Sequence, residues 1–151
     1  MNIYNLKDKK EYVKEYFELC SKEWGIYNNS EDFNKKIALK AEKFSSGTDD
    51  KIISVLILLE EKELIGFISL FKFDGEEKRE LTPWYATMCV KEKYRGQGYS
   101  KILNDAILKE ARKLGYKKVY LKSNLKNYYE KFGAKYIETL NNGEKLFYIE
   151  V

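Results

Sequence analysis

Histidine is absent from all 151 residues. That removes the Ser-His-Asp and Cys-His catalytic arrangements and the commonest metal ligand together. The two cysteines, Cys20 and Cys89, are far apart and form no CxxC pair, so neither a disulfide framework nor a zinc cluster is encoded. Two reduced thiols fit a cytoplasmic protein. Long apolar runs are missing as well: the most continuous, "IISVLILL" from Ile52 to Leu59, is far too short to span a bilayer. The opening "MNIYNLKDKKEY" has no apolar leader segment, so no secretory signal and no membrane partner are expected. Proline occurs once, at Pro83, and arginine only at Arg79, Arg95 and Arg112 among 28 basic residues. With 44% hydrophobic and 34% charged residues, the composition is that of one globular domain spanning 1–151.

Charge is unevenly placed. Residues 91–135 contain 13 Lys or Arg against 4 Asp or Glu, while the other 106 residues hold 15 against 20. A basic segment beside an acidic remainder suits a small polyanion bound near a cation. A nucleic-acid partner is not expected, because no aromatic RNA-binding motif, zinc finger or arginine-rich tract accompanies the lysines.

The apolar spacing predicts a short strand at 2–6 and helices over Lys9–Trp24 and from a Ser30 N-cap to about Glu42. A β-hairpin follows over 51–74, then a polar loop "DGEEKRE" and a strand over Leu81–Val90. Ile102, Leu103, Ala106, Ile107, Ala111 and Leu114 predict a third long helix ended by Gly115. A strand "KKVYLK", a short helix "LKNYYEKF" and a closing hairpin on Asn-Asn-Gly complete a mixed sheet with helices packed against it.

"KYRGQGYSK", residues 93–101, stands between the fourth predicted strand and the third helix. A P-loop would need Gly-Lys followed by a hydroxyl, and no Gly-Lys pair exists in the chain. A dinucleotide fold would need a third glycine where Lys101 stands and an acid where Lys118 stands. What remains is [RQ]-x-x-G-x-[GA], met as Arg95-Gly96-Gln97-Gly98-Tyr99-Ser100. Glycines ahead of a helix let its unpaired first N–H groups face phosphate oxygens at the positive end of the helix dipole.

With strand, glycine loop and helix in that order, and "LKNYYEKFGAKYIE" near the C-terminus, the chain resembles the GNAT-type N-acetyltransferases. It departs from their pattern at Ser100, where Gly or Ala is usual, and at Ala134, where Phe is common. The resemblance implies a central twisted mixed sheet of about six or seven strands flanked by about four helices, an α/β (α+β) acyl-CoA N-acyltransferase fold. It also implies acetyl-CoA as co-substrate, with no metal, and acetyl transfer to a primary amine by direct attack in a ternary complex. The acceptor would be a small molecule or a peptide amine. Homodimers occur in the family, but no residue pattern here locates an interface. A non-catalytic acyl-CoA-binding regulatory module is the alternative.

Carried over by position, the resemblance assigns the coenzyme to the backbones of Met88, Cys89 and Val90, to Arg95 through Ser100 with Gln97 and Tyr99 included, and to Asn124. Tyr129, with Tyr128 as its neighbour, would hydrogen-bond the departing thiolate. Without histidine, the amine's proton must go to a carboxylate, a tyrosine or a water chain, and Glu80 and Asp74 of the acidic loop are the candidate carboxylates. Trp24, Tyr27, Trp84 and Tyr85 are the candidate walls of the acceptor pocket, by cation–π contact. A Cys89 acyl-enzyme is disfavoured by its place in an apolar strand.

Overall fold

Two nine-residue apolar runs joined by a charged turn dictate the centre of the molecule. The computed structural model describes residues 2–24, without the Trp24 side chain, and residues 30–151. In it β2 (Ile52–Glu60) and β3 (Glu63–Phe71) form an antiparallel hairpin closing on Glu60 opposite Glu63. Both strands are buried on both faces, which explains why they read as continuous rather than alternating apolar runs. Val55, Ile57 and Leu59 of β2 point into one core cluster, Leu56 and Leu58 into another.

The first cluster is capped by α1 (Val13–Trp24) and α2 (Glu31–Ser45), which contribute Tyr16, Phe17 and Ile37. Ser30 caps α2 as expected, its hydroxyl accepting from the Phe33 N–H at 3.1 Å. The start of the helix expected from Lys9 is instead a 3-10 turn, Lys10–Tyr12, preceded by another, Leu6–Asp8, that seats Leu6 in the core where the first strand was expected to end. The second cluster is capped by α3 (Tyr99–Lys113) through Leu103, Ile107 and Ala111, all fully buried. Ile102 and Leu114, expected on that stripe, are 42% and 50% exposed. The seam is therefore narrower than the sequence pattern suggests.

With β1 (Asn2–Asn5), β4 (Trp84–Val90), β5 (Lys118–Ser123), β6 (Lys135–Thr139) and β7 (Lys145–Glu150), the sheet has seven strands in the order β1-β2-β3-β4-β5-β7-β6. All pairings are antiparallel except β4 with β5. That parallel pair meets only at Trp84 opposite Tyr120, where the Tyr120 N–H donates to the Pro83 carbonyl at 2.9 Å. Beyond this point the strands splay. On its other edge β4 approaches β3 so closely that a Cβ on Gly66 would lie 2.6 Å from the Cys89 carbonyl oxygen and 3.2 Å from Leu103 Cδ1.

The fourth expected helix is only a 3-10 turn, Tyr129–Phe132. Asn127 just ahead of it has φ 55, a left-handed conformation that a helix entering from Leu125 could not contain. Among the described residues no helix is long and apolar enough to cross a membrane.

Candidate functional site

The loop between β4 and α3 is built by two left-handed glycines, Gly96 at φ 79 and Gly98 at φ 85. A Cβ at either would meet nothing within 4 Å, so the requirement is for the backbone conformation and not for space. Gly98 is the N-cap of α3, and no side chain caps the helix. Its first N–H groups therefore face outward without a side-chain partner, at the positive end of a fifteen-residue helix. They open on a cleft of about 400 Å³ lined by Met88, Cys89 and Val90 of β4, by Arg95, Gly96, Gly98, Tyr99 and Ser100, and by Glu23, Tyr94 and Tyr128.

At the inner end of this cleft β4 is irregular. Phe67 pairs with Cys89 and Ser69 with Ala86, so Thr87 and Met88 together stand opposite Ile68 alone. This is a β-bulge. Thr87 sits there at φ 43, an unusual position for a β-branched residue, of the kind that costs about 1–3 kcal/mol and is concentrated at functional sites. Its hydroxyl is buried without a hydrogen-bond partner among the described residues. Met88 lines both the cleft and a second cavity of about 380 Å³ inside the splay, walled by Tyr85 to Met88 of β4, Leu121 and Lys122 of β5, Phe71 and Tyr129, with Lys51, Asp74 and Glu144 also in its lining. Tyr129 stacks edge-on against Tyr85 at 5.8 Å and against Tyr128 at 4.8 Å. Burial pushes the Tyr129 phenol up, and Tyr128 adds to the shift. It is thus held protonated, as a donor.

The cradle's charges are partly spent within the chain. Arg95 donates from Nε to the Val90 carbonyl at 2.8 Å and pairs through its guanidinium with Glu23 at 3.1 Å. Lys91 pairs with Glu15 at 2.7 Å and Lys93 with Glu63 at 2.8 Å. Glu63 also accepts from the Tyr94 hydroxyl, and these partners hold its carboxyl below the usual range. Of these pairs, Arg95 and Glu23 both line the cleft. Burial pushes both thiols up, Cys20 to about 12, while Glu23 raises Cys89 further. Neither is an activated nucleophile.

Residues 10–134 match the model of the acetyltransferase (GNAT) family. The chain belongs to this family. Among solved structures, aminoglycoside 6'-acetyltransferase type Ii is 17% identical, with TM-score 0.68 over 99% of this chain and 97% of its own. PaiA N-acetyltransferase from Thermoplasma acidophilum, in complex with coenzyme A, is 20% identical, with TM-score 0.57 over 100% of both chains. YncA, a putative acetyltransferase from Salmonella typhimurium with its cofactor acetyl-CoA, is 15% identical, with TM-score 0.66 over 99% of this chain and 93% of its own. No curated protein sequence matches the chain. The GNAT fold expected from the sequence is borne out.

Eight of the ten positions expected to hold the GNAT coenzyme line one cleft, whereas Gln97 and Asn124 are exposed outside it. Of the four aromatic walls, Tyr85 lines the inner cavity. Trp84 is 0% exposed and donates its indole N–H to the Leu81 carbonyl at 2.9 Å, so its ring serves the core instead. Tyr27 lies outside the described residues, as does the Trp24 side chain. Of the two loop carboxylates, Asp74 reaches the inner cavity, while Glu80 is exposed and lines neither it nor the cleft. Glu23, Tyr94 and Thr87 were missed. Glu23 is 72 positions from Arg95, and nothing in a threonine amid a strand marks a left-handed bulge.

Proposed function

We propose that the protein transfers the acetyl group of acetyl-CoA to a primary amine by direct attack of the amine on the thioester. The observation that carries this reading is the uncapped N-terminus of α3 opening on a cleft that ends at a bulge between splayed strands. In this reading the diphosphate accepts N–H groups of the loop from Gly96 to Ser100, and Arg95 leaves Glu23 to meet further phosphate charge. The pantetheine arm takes the edge of β4 that β5 leaves free, pairing with the backbone of Met88 to Val90. A main-chain N–H at the bulge then polarises the thioester carbonyl and stabilises the oxyanion; removing such a donor typically costs about 2.7–4 kcal/mol.

The inner cavity supplies the remaining chemistry. Tyr129 lies in the splay beside Met88, where the thioester end of the cofactor would arrive, which favours it over Tyr128 as hydrogen-bond donor to the departing thiolate. A phenol near 10 facing a thiol near 8.5 makes full proton transfer uphill by about 2 kcal/mol, and burial increases the gap. Tyr129 therefore acts by hydrogen bonding as charge builds on sulfur. A lysine-like amine must lose a proton at a cost of about 4.6 kcal/mol at pH 7. Asp74, which lines that cavity, is assigned that proton, directly or through water. The raised thiols of Cys20 and Cys89 support direct attack over an acyl-enzyme.

The test is calorimetric titration with acetyl-CoA, followed by an amine panel with mass detection of acetylated product. Binding with turnover of at least one amine supports the reading. Firm binding with no turnover on any amine favours the regulatory-module alternative.

A further inference from the structure

The site carries a charge pattern that bears on which amine it takes, an inference resting on the acetyl-transfer reading. Next to the inner cavity lies another of about 350 Å³, between α1, α2 and the start of β2, lined by Tyr16, Phe17 and Cys20 together with Lys40 and Lys51. Lys51, Phe71 and Thr87 line both cavities, so the two adjoin at the bulge. Lys122 lines the inner one from β5.

None of these three lysines forms an ion pair among the described residues. Lys51 lies over the Phe71 ring at 4.8 Å, and Lys122 donates to the Asp74 carbonyl at 2.7 Å. Lys40 and Lys51 both act on the Cys20 thiol, drawing it down against burial, so their charges converge on one wall. The carboxylate in that cavity, Asp49, is committed to the chain: its Oδ1 accepts from the Lys51 and Ile52 N–H groups at 2.9 and 3.1 Å. Asp74 and Glu144 line the inner cavity together with Lys122. Lys40 and Lys51 thus stand together on the helical side of the bulge, while the inner cavity sets these two carboxylates beside Lys122. A polycation reaching from the inner cavity into the helical one would set a second positive charge against Lys40 and Lys51, which disfavours it.

We infer that the acceptor is an anionic primary amine, carrying a carboxylate or phosphate close to its amino nitrogen, with Lys51 and Lys40 binding the anion while the amine faces Asp74 and the bulge. Lys51 is thereby a specificity-determining residue.

The experiment measures CoA release with matched amines: phenylalanine against phenethylamine for carboxylate, and phosphoethanolamine against ethanolamine for phosphate, with spermidine as the polycation. In at least one pair the anionic member is expected to exceed its twin in kcat/KM by about tenfold or more, the factor of one hydrogen bond to a charged group. The pair that responds identifies the anion. In Lys51→Met the ratio is expected to fall to about one, and in Lys51→Arg to persist, since Arg keeps the charge. A twin lacking the anion that equals or exceeds its partner in kcat/KM in both pairs, or spermidine exceeding both anionic members, overturns the inference and leaves acetyl transfer standing. So does a ratio that survives Lys51→Met. No turnover of any amine by a protein that binds acetyl-CoA overturns acetyl transfer, and this inference with it.

Discussion

Replacing Tyr129 by Phe removes one oxygen from the inner cavity. The hydroxyl makes no hydrogen bond among the described residues, and the ring's contacts with Tyr85 and Tyr128 do not depend on it. The fold therefore loses nothing that needs a partner, and stability should change by less than about 0.5 kcal/mol. In the reaction, the same oxygen would donate to a sulfur acquiring negative charge. A hydrogen bond to a charged group contributes about 1.5–3 kcal/mol, which corresponds to a loss of roughly 10- to 150-fold in kcat. Acetyl-CoA affinity should hold, because the interaction develops only as the thioester breaks. Thiol release gives kcat, and titration calorimetry gives the acetyl-CoA Kd. Since burial raises the Tyr129 phenol above its ordinary 10.0, the wild-type rate should show no loss from this group below pH 10. An unchanged kcat in Tyr129→Phe removes the residue from its role. Loss in Tyr128→Phe alone moves that role to its neighbour.

Three further outcomes are expected. Gly66→Ala should destabilise the protein by about 1–3 kcal/mol in chemical denaturation, because the added carbon would stand 2.6 Å from a backbone oxygen that cannot move alone; a neutral result refutes the close approach of β3 and β4. Glu23→Gln should tighten acetyl-CoA binding at low salt by up to about fivefold. It releases Arg95 from a surface pair, with side chains 51% and 37% exposed, of the kind worth at most about 1 kcal/mol, and weaker binding contradicts this. Burial lifts the phenols of Tyr16 and Tyr85 above 10.0, so their contribution to stability is full below that value and is lost as pH rises beyond it. An ultraviolet titration of the folded protein should leave these two of the 13 tyrosines un-ionised until unfolding; all 13 ionising together near pH 10 contradicts their burial.

The parts of this fold written in local pattern were legible. The hairpin over 52–71, the Ser30 cap and the glycine turn into α3 each depend on residues within one or two turns of each other. The candidate cleft was legible for the same reason, since eight of its residues lie from Arg95 to Ser100 or just before them on β4. Contacts across the sheet were not. That β4 and β5 pair in register only at Trp84 and Tyr120 depends on how α3 and the two strands pack, and no residue between them announces it. Trp84 resembled a substrate wall because aromatics near a loop serve cores and binding sites equally, and its burial became decidable only once Leu140 and Leu146 lay against it. The 3-10 turn at Tyr129–Phe132 replaced a helix because Asn127 is left-handed, a conformation asparagine permits without requiring.

The account stands on the α3 N-terminus as an anion grip, and amide resonances there report it without reference to turnover. On titration of the isotopically labelled protein with coenzyme A, the N–H signals of Gly96, Gly98, Tyr99 and Ser100 should shift together and saturate with the calorimetric Kd, while pantetheine, lacking the diphosphate, leaves them in place. Those four signals staying still under saturating coenzyme A, or moving equally with pantetheine, would contradict it.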